Sequence, residues 1–226
     1  MKQSSQIQIL SNTAIFSGLN DDELSELAGI TMEHNFMPNE FIFWEGDAPE
    51  WLYIISTGQV KVVKHSSQGK EFIISFFGPS EMFGEVAVFE NKPYPASAQA
   101  VAETETFQIK KGDFQAFLTS HPPVALKIIN ILAERLRNAQ NRLRDFAGER
   151  IEQRLSSLLL MLSEKMGTTL HLTRQEIADM AGTTTETTIR FMSSLKERGI
   201  IRSARREITI LNRRKLRLLS EGLPKV

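Results

Sequence analysis

The first thirty residues place apolar side chains at helical spacing: Ile7 and Leu10, then Phe16 and Leu19, then Leu24 and Leu27. Asn20-Asp21-Asp22-Glu23 sets a capping amide and three carboxylates where a second helix would begin, so the pattern predicts two short helices. From about Asn35 to Ile109 the period shortens to that of strands, with runs at Glu40–Trp44, Trp51–Ser56, Val60–Lys64, Phe72–Phe76 and Thr106–Ile109. Gly46, Gly58, Gly69, Gly78 and Gly84 fall between these runs as turn residues, the spacing of a sandwich or barrel, and we read an antiparallel β-roll. Beyond Pro122-Pro123 helical spacing returns, and Ile129, Leu132, Leu136, Ala139, Leu143 and Phe146 alternate steps of three and four along one stripe. Arg135, Arg137, Asn138, Asn141, Arg142, Arg144 and Asp145 fall on the other faces, so the stripe reads as a homodimer seam, with packing against the chain's own β-roll as the alternative.

After Gly148, a plausible hinge, residues 149–166 form another amphipathic pattern that stops at Gly167, and a short strand is expected over Thr168–Leu172. Residues 172–201 read LTRQEIADMAGTTTETTIRFMSSLKERGII. This predicts a helix over Arg174–Met180, a tight turn through Gly182 and a second helix over Thr185–Arg198: a helix-turn-helix. Ala178 is small where two helices cross, and Ile177, Thr188, Phe191, Met192 and Leu195 supply the contacts behind them. Thr184 caps the second helix, whose outward face begins with Thr185 and Glu186. Glu186 and Arg190, four apart, share that face; they suit a cytosine amino group and a guanine edge respectively, or else an intrahelical salt bridge. The segment IIRSARREITIL then offers two strands around a basic turn with Arg202, Arg205 and Arg206, the form of a wing. Arg205 and Arg206, with Thr173, Arg174 and Gln175 at the start of the first helix, are placed to hold phosphates beside a groove. Arg213, Arg214, Lys215 and Arg217 read as a solvated helix end.

Charge sharpens this picture. The 226 residues balance 27 Lys+Arg against 27 Asp+Glu, but residues 1–147 carry 12 against 18 and residues 148–226 carry 15 against 9. A net −6 module thus precedes a net +6 module, and clustered cations gain affinity for a polyanion by releasing its counterions. There is no cysteine, which excludes disulfides, thiolate metal sites and a cysteine-ligated iron–sulfur cluster. No stretch approaches a membrane-spanning apolar run and no signal-like segment opens the chain, so a cytoplasmic protein without a membrane partner is expected. G-x-S-x-G, P-loop, G-x-G-x-x-G and H-E-x-x-H patterns are all missing, which leaves an enzyme reading without residues.

Three segments together, TRQEIADMAGTTTETTIR, FGEVAVF at 83–89 and PYPASAQA at 93–100, carry a resemblance over the whole chain to the cyclic-AMP receptor protein and fumarate–nitrate reduction regulator (Crp/Fnr) family. The resemblance implies an α+β chain: an effector-sensing β-roll over 1–121, a dimerisation helix over 122–147 and a winged helix-turn-helix over 148–226. It further implies a homodimer on palindromic promoter DNA, contacts to RNA polymerase, and a small-molecule or gas effector. The effector pocket would be built from Gly84, Glu85 and Tyr94 with Ala139 and Gln140 of the dimer helix. Members that bind cyclic AMP follow the Gly-Glu pair with an Arg-Ser that grips the cyclic phosphate, and here those positions are Tyr94 and Pro95. Cyclic AMP is therefore disfavoured. The PYPASAQA stretch is similar to that of a nitric-oxide-responsive branch associated with haem, which would make haem the cofactor, with His34, His65 and His121 as candidate axial ligands, methionines also available, and no metal ligand assigned. The competing reading is a cyclic-nucleotide-binding-like module that regulates a protein partner.

Overall fold

The computed structural model describes residues 2–65, 71–148, 150–204 and 206–222; of residues 2–5 and 142–148 the backbone alone is described. Two helices open the chain, α1 (Lys2–Asn12) and α2 (Asp21–Gly29), and the second begins with a complete capping box in which Asn20 and Glu23 satisfy each other's backbone N–H. Strands β1 (Thr31–Phe36), β2 (Phe41–Phe43), β3 (Trp51–Thr57), β4 (Val60–His65), β5 (Glu71–Phe77) and β6 (Met82–Phe83) follow. A short helix α3 (Glu85–Glu90) precedes β7 (Ser97–Ala100) and β8 (Thr104–Lys110), then α4 (Lys111–Ser120) and the 27-residue α5 (Pro122–Gly148). Two four-stranded sheets result, ordered β1-β8-β3-β6 and β2-β7-β4-β5. The pairs of β8 with β1 and β3, of β3 with β6, and of β7 with β2 and β4 are antiparallel.

Why β3 reads as an unbroken apolar run is visible in its two faces. Successive strand residues point to opposite sides, so Leu52 and Ile54 enter one core with α1, α2, α4 and the start of α5, while Tyr53 and Ile55 enter a second. The first core holds Leu10, Phe16, Leu27, Phe107, Phe114, Phe117, Val124 and Ile128. The second gathers Phe43, Phe77, Phe83, Tyr94 and Ala98 around Tyr53. β6 divides in the same way, Met82 to the first core and Phe83 to the second.

The chain resolves into two compact units, residues 1–70 with 74–136 and residues 71–73 with 137–226, so that the main division falls within α5. After α5 come α6 (Ile151–Met166), β9 (Thr169–Leu170), α7 (Arg174–Ala181), α8 (Thr185–Glu197), β10 (Ile201–Ala204), β11 (Glu207–Ile210) and α9 (Arg213–Ser220). The antiparallel sheet β10-β11-β9 and helices α6 to α9 enclose Leu155, Leu159, Leu162, Ile177, Phe191, Leu195, Ile201, Ile208 and Leu216. Among the described residues no single helix is long and apolar enough to cross a membrane.

Several expectations need correction. The β-rich region begins at Thr31 rather than about Asn35, with β1 and β6 outside the expected runs; α3 and α4 were not anticipated, and neither was β7, whose Ala98 and Ala100 are fully buried. The stretch from Arg213 is the helix α9, whose Arg213, Arg214, Lys215 and Arg217 are exposed as expected while Leu216 and Leu219 are buried.

Candidate nucleic-acid interface and sensor interior

Local sequence alone shapes the helix-turn-helix. Thr173 caps α7: its hydroxyl accepts from the Glu176 N–H at 3.1 Å, and the Glu176 carboxylate accepts from the Thr173 N–H at 2.7 Å. Gly182 ends α7 at φ 62°, ψ 45°, the left-handed conformation that a residue without Cβ adopts at no steric cost, and Thr183 N–H closes the turn on Ala178 O at 3.0 Å. Two residues later Thr184 caps α8 by accepting from Thr187 N–H at 3.2 Å. Thr188, Phe191, Met192 and Leu195 turn inward, at 8% exposure or less.

The opposite face of α8 is open. Thr184, Glu186 and Arg190 are exposed, and among the described residues no ion pair joins Glu186 to Arg190, so the salt-bridge alternative for this pair is not realised. Thr185 is half-buried and donates its hydroxyl proton to Gln175, whose amide donates onward to Asp179 at 2.8 Å. Gln175 thus fixes Thr185 as well as facing outward. Arg174 reaches the wing, donating to Ala204 O at 3.3 Å and to the Ser203 hydroxyl. Thr173, Arg174, Ser203, Ala204 and Arg206 line a shallow open groove between the start of α7 and the wing turn, where Arg206 takes φ 57°. Ser203 and Ala204 were not identifiable beforehand, because they contribute through a contact made thirty residues away in sequence. Arg205 lies outside the described residues.

Inside the β-roll, Gly84 sits at φ 81° before α3, and a Cβ there would lie 3.2 Å from the Tyr53 ring. Tyr94 is buried, stacked on Phe43 with ring centroids 3.8 Å apart, and its hydroxyl donates to Trp51 O. Phe83 stacks on Tyr53 at 5.0 Å, so aromatic rings fill the space between the sheets. Glu85 is 1% exposed. Its carboxylate accepts from Arg135 of α5, which also donates to Met82 O at 2.7 Å and lies over the Phe77 ring at 4.9 Å. This corrects the placement of Arg135 on a solvent face: it turns back into its own unit. Burial raises the Glu85 pKa and the Arg135 charge opposes that rise, the net direction being upward. Burial likewise pushes the Tyr53 and Tyr94 hydroxyls up.

Along α5, Val124 and Ile128 are buried in the first core with Ile131 and Leu132 packed against it, while Ile129 and Leu136 are 59% and 60% exposed. The helix therefore has two apolar faces, one used by its own unit and one open. Ala139 and Gln140 are exposed. The side chains of Leu143 and Phe146, and the surroundings of Gly148 at the end of α5, lie outside the described residues. His34 is exposed against Phe36, His65 is exposed, and His121 has Nδ1 3.0 Å from Phe117 O with Nε2 facing Glu23 and Glu26. None of the three belongs to the aromatic interior.

Residues 33–121 match the model of the cyclic nucleotide-binding domain, and residues 153–219 match that of the Crp-like helix-turn-helix domain. The chain is 28% identical over 217 residues, 92% of its own length and 97% of the relative's, to a CRP-like cAMP-activated global transcriptional regulator of Mycobacterium tuberculosis. It is 30% identical over 194 residues, 81% of its length and 77% of the relative's, to the nitrogen fixation regulation protein FixK of Azorhizobium caulinodans. Among solved structures, that of FixK2 from Bradyrhizobium japonicum superposes with a TM-score of 0.76 at 25% identity, covering 87% of this chain and 99% of that one. A nucleotide-binding-type β-roll joined to a capped, basic helix-turn-helix, with relatives that are regulators and not catalysts, identifies the chain as a DNA-binding transcription regulator of the Crp/Fnr family.

Proposed function

We propose that the protein works as a homodimer on palindromic promoter sites, with α8 of each copy in a major groove and the wing on the adjoining phosphates. The observation that carries this is the outward face of α8, where Glu186 and Arg190 stand exposed and unpaired with each other. The open face of α5, with Ile129 and Leu136 exposed beside Ala139, supports the dimer, and residues 122–147 join a sensor domain, 1–121, to a DNA-binding domain, 148–226. RNA polymerase is the further partner that membership of the family implies. Half-sites recur about one helical turn, roughly 34 Å, apart, so a change in α5 or at Gly148 that alters the spacing of the two α8 helices would switch affinity.

The effector is proposed to be other than cyclic AMP. Where a phosphate-gripping arginine would stand, Tyr94 is an inward ring, and Glu85 is already held by Arg135. A haem between the aromatic rings is not supported either: His34 and His65 are exposed, and His121 stacks on Phe117 of the first core with Nε2 facing Glu23 and Glu26. The test of the DNA reading is a gel shift against selected operator DNA across a salt series. Arg190→Ala should weaken binding about 5- to 100-fold and relax preference at one base pair of each half-site. Arg206→Ala should weaken all sequences alike and lower the salt slope by about one per half-site. Identical behaviour of the two variants would overturn this division of roles.

A further inference from the structure

We propose that Ile189 is a base-reading residue of α8 that selects a thymine through its C5 methyl group, an inference that rests on the DNA-binding reading of the same helix. The side chains behind the helix occupy 188, 191, 192 and 195, and all four are buried. Residues 186, 189, 190 and 193 form the contrary stripe by the three- and four-residue steps of a helix, and all four are exposed. Three of these, Glu186, Arg190 and Ser193, are polar, as a solvated face would be. Ile189 is the exception, 48% exposed in the middle of the stripe and flanked by the two charged readers.

Ile189 lies outside the buried set of its own unit. A β-branched residue is also a weaker helix former than alanine, lysine or glutamine at an exposed position. A branched apolar side chain at that position therefore costs both helix propensity and solvation in the free protein. It recovers solvation only when the face is covered, and the covering surface has to be apolar at that point. The major groove presents one apolar group that discriminates between base pairs, the C5 methyl of thymine. With Arg190 suited to guanine O6 and N7 and Glu186 to a cytosine amino group, Ile189 between them adds a third letter that hydrogen bonds cannot supply. The half-site is then predicted to combine a guanine–cytosine element with a neighbouring thymine.

The experiment uses the full chain and an operator obtained by selection from random duplex DNA. Each thymine of the half-site is replaced in turn by deoxyuridine, which keeps every hydrogen-bonding group and removes only the methyl. For the wild type, one position should lower affinity about fourfold per half-site, the worth of one buried methyl-sized group, and about 15-fold when both half-sites are changed. Ile189→Ala and Ile189→Ser should bind thymine and deoxyuridine operators equally at that position, whereas Ile189→Val should keep part of the discrimination. If the wild type is indifferent to deoxyuridine everywhere, or if Ile189→Ala discriminates as strongly as the wild type, the thymine assignment is overturned while the DNA-binding reading stands. If selection yields no preferred sequence at all, that reading falls and this one with it.

Discussion

The two functional regions of this chain are built on opposite terms. On α8 the groups proposed to read DNA are held open: Glu186, Ile189 and Arg190 are exposed, and Glu186 and Arg190 are unpaired with each other. In the β-roll every comparable group is already engaged. Glu85 is held by Arg135, the Tyr94 hydroxyl by Trp51 O, and the rings of Phe43, Tyr53, Phe83 and Tyr94 stack on one another. A surface that meets an outside partner can leave polar groups to water until the partner arrives. A buried site has no such option, because a polar group removed from water without a hydrogen bond costs several kcal/mol, roughly 2–7. The interior is thus satisfied by the chain itself, and an effector entering it has to displace those contacts before making its own.

Three measurements of unfolding would break or sharpen this contrast. The largest effect is expected for Arg135→Met. Removing one partner of a buried ion pair leaves the other uncompensated at a cost of about 3–5 kcal/mol, and since the Arg135 side chain is one-third exposed while that of Glu85 is buried, we expect about 2–3 kcal/mol. The deficit should depend on pH with a definite sign. The folded-state pKa of Glu85 is already raised and rises further without the guanidinium, so folding favours the bound proton. Stability of the variant is then greatest below the ordinary carboxylate range and falls as pH rises through the raised value. Adding Glu85→Gln should abolish that dependence, and a variant as stable as wild type at pH 8 would show the latch to be idle. Next, Thr173→Ala removes the cap that holds the start of α7 and should cost about 1 kcal/mol in denaturant unfolding. Smallest is Arg190→Ala, a residue facing only solvent, which should shift stability by less than about 0.5 kcal/mol despite its large effect on DNA. A stabilising role for Arg190 would erase the distinction between the two regions.

Legibility followed the range of the interactions. The helix-turn-helix was readable to within a residue at each end because its limits are set by neighbours: Thr173 with Glu176, Gly182 in a left-handed turn, Thr184 with Thr187. The β-roll was readable as a class, but α3, α4 and β7 were not. In β7 the buried residues Ser97, Ala98 and Ala100 are small, and Ala98 leaves room for the rings of Phe43 and Tyr53, which no local pattern announces. Arg135 shows the same limit. Beside the apolar stripe of α5 it looked like a solvated charge, and only the acid fifty positions earlier in the chain explains why it turns inward. Ile189 had no place in the sequence pattern, which set Thr188, Phe191, Met192 and Leu195 behind the helix and Glu186 and Arg190 on its outward face; its exposure puts it with the latter.

The short link between α7 and α8 has an evolutionary consequence. Gly182 closes one helix and Thr184 opens the next through their own nearest neighbours, so the limits of both helices are encoded without help from Glu186, Ile189, Arg190 or Ser193. Scaffold and alphabet are written in different letters of the same thirteen-residue helix. If the proposed DNA reading holds, positions 186, 189, 190 and 193 can change while 188, 191, 192 and 195 stay fixed, so a duplicated copy of this gene could drift to new promoters one base pair at a time without passing through an unfolded intermediate.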